Sequence, residues 1–175
     1  MNLRKISFIA LIFAVVILST GCVEREIVVN KPINEVPDVS IKEDIEIDWD
    51  QVMEDCEAAL NEDEYPYGSY LDFAVHDDEN LTEIIWPVKP ECPIEEMPAY
   101  AEAYAKAFND AVATQDFKYA VSTDDSYGGY WDTHDMDVQV YYEKDIMWPE
   151  NYWVNQLVPA GSNDKIILNP NLEQK

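Results

Sequence analysis

Tyr70-Leu-Asp-Phe-Ala-Val-His76, then Asp77-Asp-Glu-Asn80, then Leu81-Thr-Glu-Ile-Ile-Trp-Pro-Val88, is the stretch that decides the fold. In the first run Leu71, Phe73 and Val75 alternate with Asp72, Ala74 and His76. In the return run Ile84 and Trp86 fall on one face and Ile85 on the other. A period of two on both sides of a polar turn predicts a β-hairpin.

The next segment changes period. Ala101, Tyr104, Ala105, Phe108, Ala111 and Val112 recur at helical spacing, with Pro98 suited to the first turn and Glu95 and Glu96 to the positive end of the dipole. That stripe reads as core against a sheet. Glu102 and Lys106 form an i,i+4 pair on another face.

Upstream, Trp49, Val52, Met53, Cys56, Ala59 and Leu60 predict an earlier helix, with Asp48 as N-cap and Gln51 completing a capping box. Asn61 to Ser69 ends it in a loop with Pro66 and Gly68. Downstream, strands are expected at 117–122, 137–142 and 165–168, while 147–158 is ambiguous. The order α, β-hairpin, α, β, β, β predicts an α+β fold: a mainly antiparallel sheet with about two helices packed on one face.

The N-terminus carries a different signal. Arg4 and Lys5 precede an uncharged, mostly apolar run, Ile6 to Leu18, of about 13 residues, which is short for a spanning helix of about 20. Leu18-Ser19-Thr20-Gly21-Cys22 closes the run and resembles a bacterial lipobox. Ser19 departs from the common pattern, which places Leu three residues before the Cys; Leu18 lies one earlier. The resemblance covers residues 1–22 only. It implies a signal peptide over 1–21, lipid attachment at Cys22, and a location on the cell membrane facing the extracytoplasmic side. Acyl chains contribute about 0.8 kcal/mol per buried CH₂, so two or three hold a domain on a bilayer. Residues 22–40, with Pro32 and Pro37 and no sustained period, read as lipidated Cys and tether, and 41–175 as one acidic domain.

Charge narrows the partners. The 175 residues hold 11 basic and 36 acidic side chains. Removing 1–21, which contain Arg4, Lys5 and no acid, leaves 154 residues with 9 basic side chains against 36 acidic, a net charge of −27. Such a domain is repelled by nucleic acid and anionic headgroups over a Debye length of about 8–10 Å. Self-repulsion favours a monomer. With 47% hydrophobic and 12% aromatic residues, a folded core is expected all the same.

Cys56 and Cys92 remain after Cys22. An even pair outside the cytoplasm predicts a disulfide, which contributes about 3–4 kcal/mol in the chain-entropy view.

One loop invites a function. Thr123 to Asp137, about 15 residues, is long for a connection in a small domain. Tyr127, Tyr130 and Trp131 flank Gly128-Gly129, a composition suited to stacking on a sugar ring, and Tyr65, Tyr67 and Tyr70 add further aromatics. Asp132, His134, Asp135 and Asp137 offer oxygen and imidazole donors for a cation, but their spacing matches no EF-hand. No nucleophile elbow, phosphate-binding glycine loop or HExxH occurs, and His76 and His134 are the two histidines. No cofactor and no metal site is expected. The expectation is a membrane-anchored binding or interaction domain for a protein or glycan ligand. The alternatives are a metal- or carboxylate-dependent enzyme and an accessory subunit of a transporter or sensor.

Overall fold

The computed structural model describes residues 45–172. The expected signal peptide, the expected lipid-attachment residue Cys22 and the expected tether lie outside the described residues. Those residues belong to a single compact unit. They form helix α1 (Trp49–Ala59), strands β1 (Asp72–His76) and β2 (Leu81–Val88), helix α2 (Met97–Gln115), and strands β3 (Asp135–Tyr142) and β4 (Val154–Val158). Short 3₁₀ turns sit at Ile94–Glu96, Glu143–Asp145 and Pro149–Asn151. Among the described residues no helix is long and apolar enough to cross a membrane.

The sheet runs in the order β1-β2-β3-β4. β1 and β2 are the expected hairpin, antiparallel, with Phe73 opposite Ile84 and Val75 opposite Thr82. Asn80 closes the turn with φ 50°, the left-handed conformation that Asn tolerates. β3 and β4 are also antiparallel, but the central pair β2 and β3 is parallel, with Ile84 beside Val138. The cause is α2: it carries the chain back from the end of β2, so β3 starts beside the start of β2.

Both helices cover one face of this sheet, giving the α+β layer arrangement. Thr82, Ile84, Trp86 and Val88 of β2 and Met136, Val138 and Val140 of β3 are buried on it. Tyr100, Ala101, Tyr104, Ala105, Phe108 and Val112 of α2 are buried against them, and the small alanines allow close approach. Trp86 packs on Tyr100 and Tyr104 with ring centroids 4.8 and 5.9 Å apart. Phe108 meets Phe73 at 5.0 Å and stacks on Trp49 of α1 at 6.2 Å. Full burial of Phe108 contributes about 2–3 kcal/mol. The opposite face carries Glu83, Ile85, Asp137, Gln139 and the exposed Leu157.

The helix start at Asp48 is as read, since its Oδ1 accepts from the Gln51 backbone at 3.2 Å. The box is not closed by Gln51, which donates to Asp55. Gln115, at the end of α2, instead accepts from the Asp48 backbone N–H at 2.7 Å and donates to its carbonyl at 3.0 Å.

Two expected strands are irregular. In 117–122 the backbone is held by no continuous strand partner: the Asp116 carboxylate accepts from Lys118 N, Asp110 accepts from Ser122 N at 2.6 Å, and single backbone bonds join Tyr119 N to the Asp116 carbonyl and Gly129 N to the Ala120 carbonyl. Phe117 points into solvent, 87% exposed. Residues 165–168 run beside β4, but the Gln156 side chain makes the link, donating to the Lys165 carbonyl and accepting from Ile167 N. The ambiguous segment resolves into the 3₁₀ turn Pro149–Asn151 followed by β4.

Candidate functional site

The 123–137 loop is firmly built. Its foundation is Asn109 on α2, completely buried. Its Nδ2 donates to the Ala120 carbonyl at 3.0 Å, and its Oδ1 accepts from Tyr130 N at 2.9 Å. Asp110, next on the helix, takes the Ser122 hydroxyl at 2.8 Å as well as its N–H. These two residues clamp both arms of the loop, so its length does not translate into slack.

The aromatic trio folds inward, which corrects its reading as an open platform. Tyr130 and Trp131 are buried beneath Phe108 at 5.3 and 5.4 Å. The Tyr130 hydroxyl is 2.7 Å from Thr82 Oγ1, and the Trp131 indole donates to the Ala105 carbonyl at 2.8 Å. Burial pushes the Tyr130 phenol up to about 12. Tyr127 is also buried; its hydroxyl donates to the Asp164 carbonyl and its N–H to Asn163 Oδ1. Burial first, then nearby Glu102, raises its phenol.

Tyr127 nonetheless lines a cavity of about 280 Å³ on the outer side of the loop. Asp124, Asp125 and Ser126 form one wall, Glu102 and Lys106 of α2 the second, and Asn163 and Lys165 the third. Lys106 donates to the Asp124 carbonyl at 3.5 Å; among the described residues it makes no ion pair with Glu102, the partner expected from spacing. Two lysines thus meet three carboxylates in one recess. Such a set can hold a small ligand that carries both signs of charge. Sequence reasoning missed Asn109, Asp110, Asn163 and Lys165. The polar Asn-Asp pair that directly follows Phe108 of the apolar stripe was the available signal.

The acidic cluster 132–137 is dispersed. His134 stacks on Tyr130 at 4.1 Å, with Nδ1 3.1 Å from the Tyr130 carbonyl. Asp135 accepts from Ala160 N at 2.8 Å. Asp137 stands on the open sheet face beside Glu83, and Glu83 lies 3.2 Å from His76. Burial, then Glu83, raises the Asp137 carboxyl above its ordinary value despite the bond from Gln139. Among the described residues no three such side chains gather closely enough to hold a metal ion.

Cys56 and Cys92 are both buried free thiols in this structure, not the bridge expected from their parity. Cys56 sits on the inner face of α1, while Cys92 lies in the turn before α2, where its carbonyl accepts from Tyr142. Cys22 lies outside the described residues.

No protein-family model matches the chain, and no curated protein or solved structure matches it either.

Proposed function

We propose that this chain is a lipid-anchored, extracytoplasmic binding domain, and that the cavity beside its 123–128 loop takes a small zwitterion of the amino-acid or short-peptide type. The observation that carries the reading is the convergence of Lys106 and Lys165 on Glu102, Asp124 and Asp125 around one recess. A ligand carboxylate is matched by the lysines and a ligand ammonium by the acids. The loop that forms one wall is fixed in advance by Asn109 and Asp110, which lowers the ordering cost of binding. Location rests on the lipobox-like Leu18–Cys22: the lipid supplies the membrane contact, because a domain of this charge is repelled by anionic lipid.

Two measurements test the two halves. Expression of Cys22→Ser in a host that processes lipoproteins should move the protein from the membrane to the soluble fraction; unchanged fractionation sinks the anchor. Thermal shift against free amino acids and short peptides should show stabilisation that disappears in a Lys106→Ala/Lys165→Ala variant. At ligand concentrations of about 100 times Kd the stabilisation is about 2.7 kcal/mol. A full panel with no shift refutes the cavity assignment.

A further inference from the structure

A cavity of about 370 Å³ opens between the C-terminal end of α1 and the chain entering β1, remote in sequence from the loop cavity. Tyr65, Tyr70, Leu60 and Leu71 line it with rings and apolar groups, and Glu57 and Glu62 add two carboxylates. The lining contains no lysine, arginine or histidine.

The walls are held in place by their own bonds. Tyr65 N donates to the Asn61 carbonyl at 2.9 Å, and Gly68 N donates to the Tyr65 carbonyl at 3.1 Å. The Tyr65 ring is fixed by Trp86 and Tyr100, with centroids 5.4 and 5.2 Å away. Tyr70 keeps 47% of its surface exposed, so its ring is accessible to a ligand.

Most polar groups of the lining are already engaged or out of reach. Glu62 holds the Lys89 ammonium at 3.4 Å, and that pair carries no net charge. The Asn61 side-chain oxygen accepts from Asp63 N at 3.1 Å. The Ser69 hydroxyl is buried away from the cavity mouth. Glu57 is left over: among the described residues its carboxylate makes no ion pair. The recess thus presents one unpaired negative charge and tyrosine faces, with few free acceptors.

We propose that this cavity binds a quaternary ammonium ion of the choline type. A cation is attracted both to a tyrosine face and to an unpaired carboxylate. A primary ammonium has three N–H donors to satisfy, and a metal ion takes six or more oxygens; the free acceptors are too few for either. A trimethylammonium group has no N–H, and its methyl groups suit the apolar wall of Leu60 and Leu71. An anionic group finds no basic partner in the lining. The net charge of −25 draws cations toward the whole surface, which favours encounter. This site is independent of the zwitterion cavity, and neither reading requires the other.

The test is calorimetric titration of the full chain, held in a detergent without a choline head group. Tetramethylammonium and choline should bind. Methylammonium, and 3,3-dimethyl-1-butanol, which has the shape of choline without its charge, should bind at least about tenfold more weakly. Glycerophosphocholine separates a lipid headgroup from the free ion; its phosphate meets no basic group, so it should bind more weakly than choline. Glu57→Gln and Tyr70→Ala should each weaken choline about tenfold, whereas Tyr70→Phe, which keeps the ring, should not. Lys106→Ala/Lys165→Ala should leave choline binding unchanged. Circular dichroism establishes that each variant is folded. Failure of both quaternary ions to bind overturns the proposal. So does equal binding of the neutral alcohol or of methylammonium, and so does choline binding that survives both Glu57→Gln and Tyr70→Ala.

Discussion

The carboxamide of Asn109 occupies the space that a side chain on Gly128 would need. A Cβ on Gly128 would overlap it, and the glycine has φ +106°, a conformation closed to other residues without strain. The buried amide and the glycine therefore form one unit: the amide bridges the two arms of the loop because residue 128 has no side chain.

Gly128→Ala should destabilise the domain by about 3 kcal/mol or more, through backbone strain and displacement of Asn109 together. Asn109→Ala should cost about 1–3 kcal/mol by leaving the Tyr130 N–H unpaired, while the Ala120 carbonyl keeps its bond from Gly129 N at 2.8 Å. Urea denaturation measures both. In the double variant the losses should be less than additive, since each breaks the same contact.

Tyr130→Phe removes the 2.7 Å bond to Thr82 and leaves that fully buried hydroxyl without its partner. The expected loss is about 1–3 kcal/mol. Adding Thr82→Val removes the orphan and should restore part of the stability. A double-mutant cycle in denaturant gives the coupling directly.

Both thiols should resist alkylation in the native protein. Desolvation, helped by Asp55 and Glu57, pushes Cys56 up to about 12, and desolvation with Glu96 and Glu95 pushes Cys92 up to about 11. The reactive thiolate is therefore scarce at neutral pH. Mass spectrometry should show neither alkylated in buffer and both alkylated in denaturant without reductant. A Cys56–Cys92 peptide in the non-reduced digest would contradict the free thiols.

Asp137 sets a pH dependence. Its folded carboxyl is raised above the unfolded value, so the native state binds the proton more tightly. Its contribution to stability is then greatest below the unfolded carboxyl range and is lost as pH rises through the raised folded value. Asp137→Asn should be more stable than the parent at neutral pH, and the gain should vanish in acid. Glu83→Gln removes the facing charge and should lower the Asp137 titration midpoint, read by carboxyl NMR; an unmoved midpoint would rule out coupling across β2 and β3.

Local pattern was enough for much of the fold. The hairpin 70–88, the buried stripe of α2 and the Asp48 cap follow from period and capping chemistry, which depend on neighbours in sequence. The strands expected at 117–122 and 165–168 misled because their alternation is real while no neighbouring strand runs along them: side chains take part of their backbone bonding, Asp110 and Asp116 in one case and Gln156 in the other. Period alone does not reveal which group a backbone N–H will meet.

The sequence by itself determined the acidic balance, the lipobox-like N-terminus, the helix-covered sheet and the inward stripe of α2. Only the tertiary structure decided that β2 and β3 lie parallel, that Tyr130 and Trp131 are core, and that Lys106 and Lys165, 59 positions apart in the chain, share one recess. The division has a physical cause. Side-chain period and charge are properties of short segments, whereas burial of an aromatic ring and the convergence of distant charges depend on how packed elements bring remote parts of the chain together.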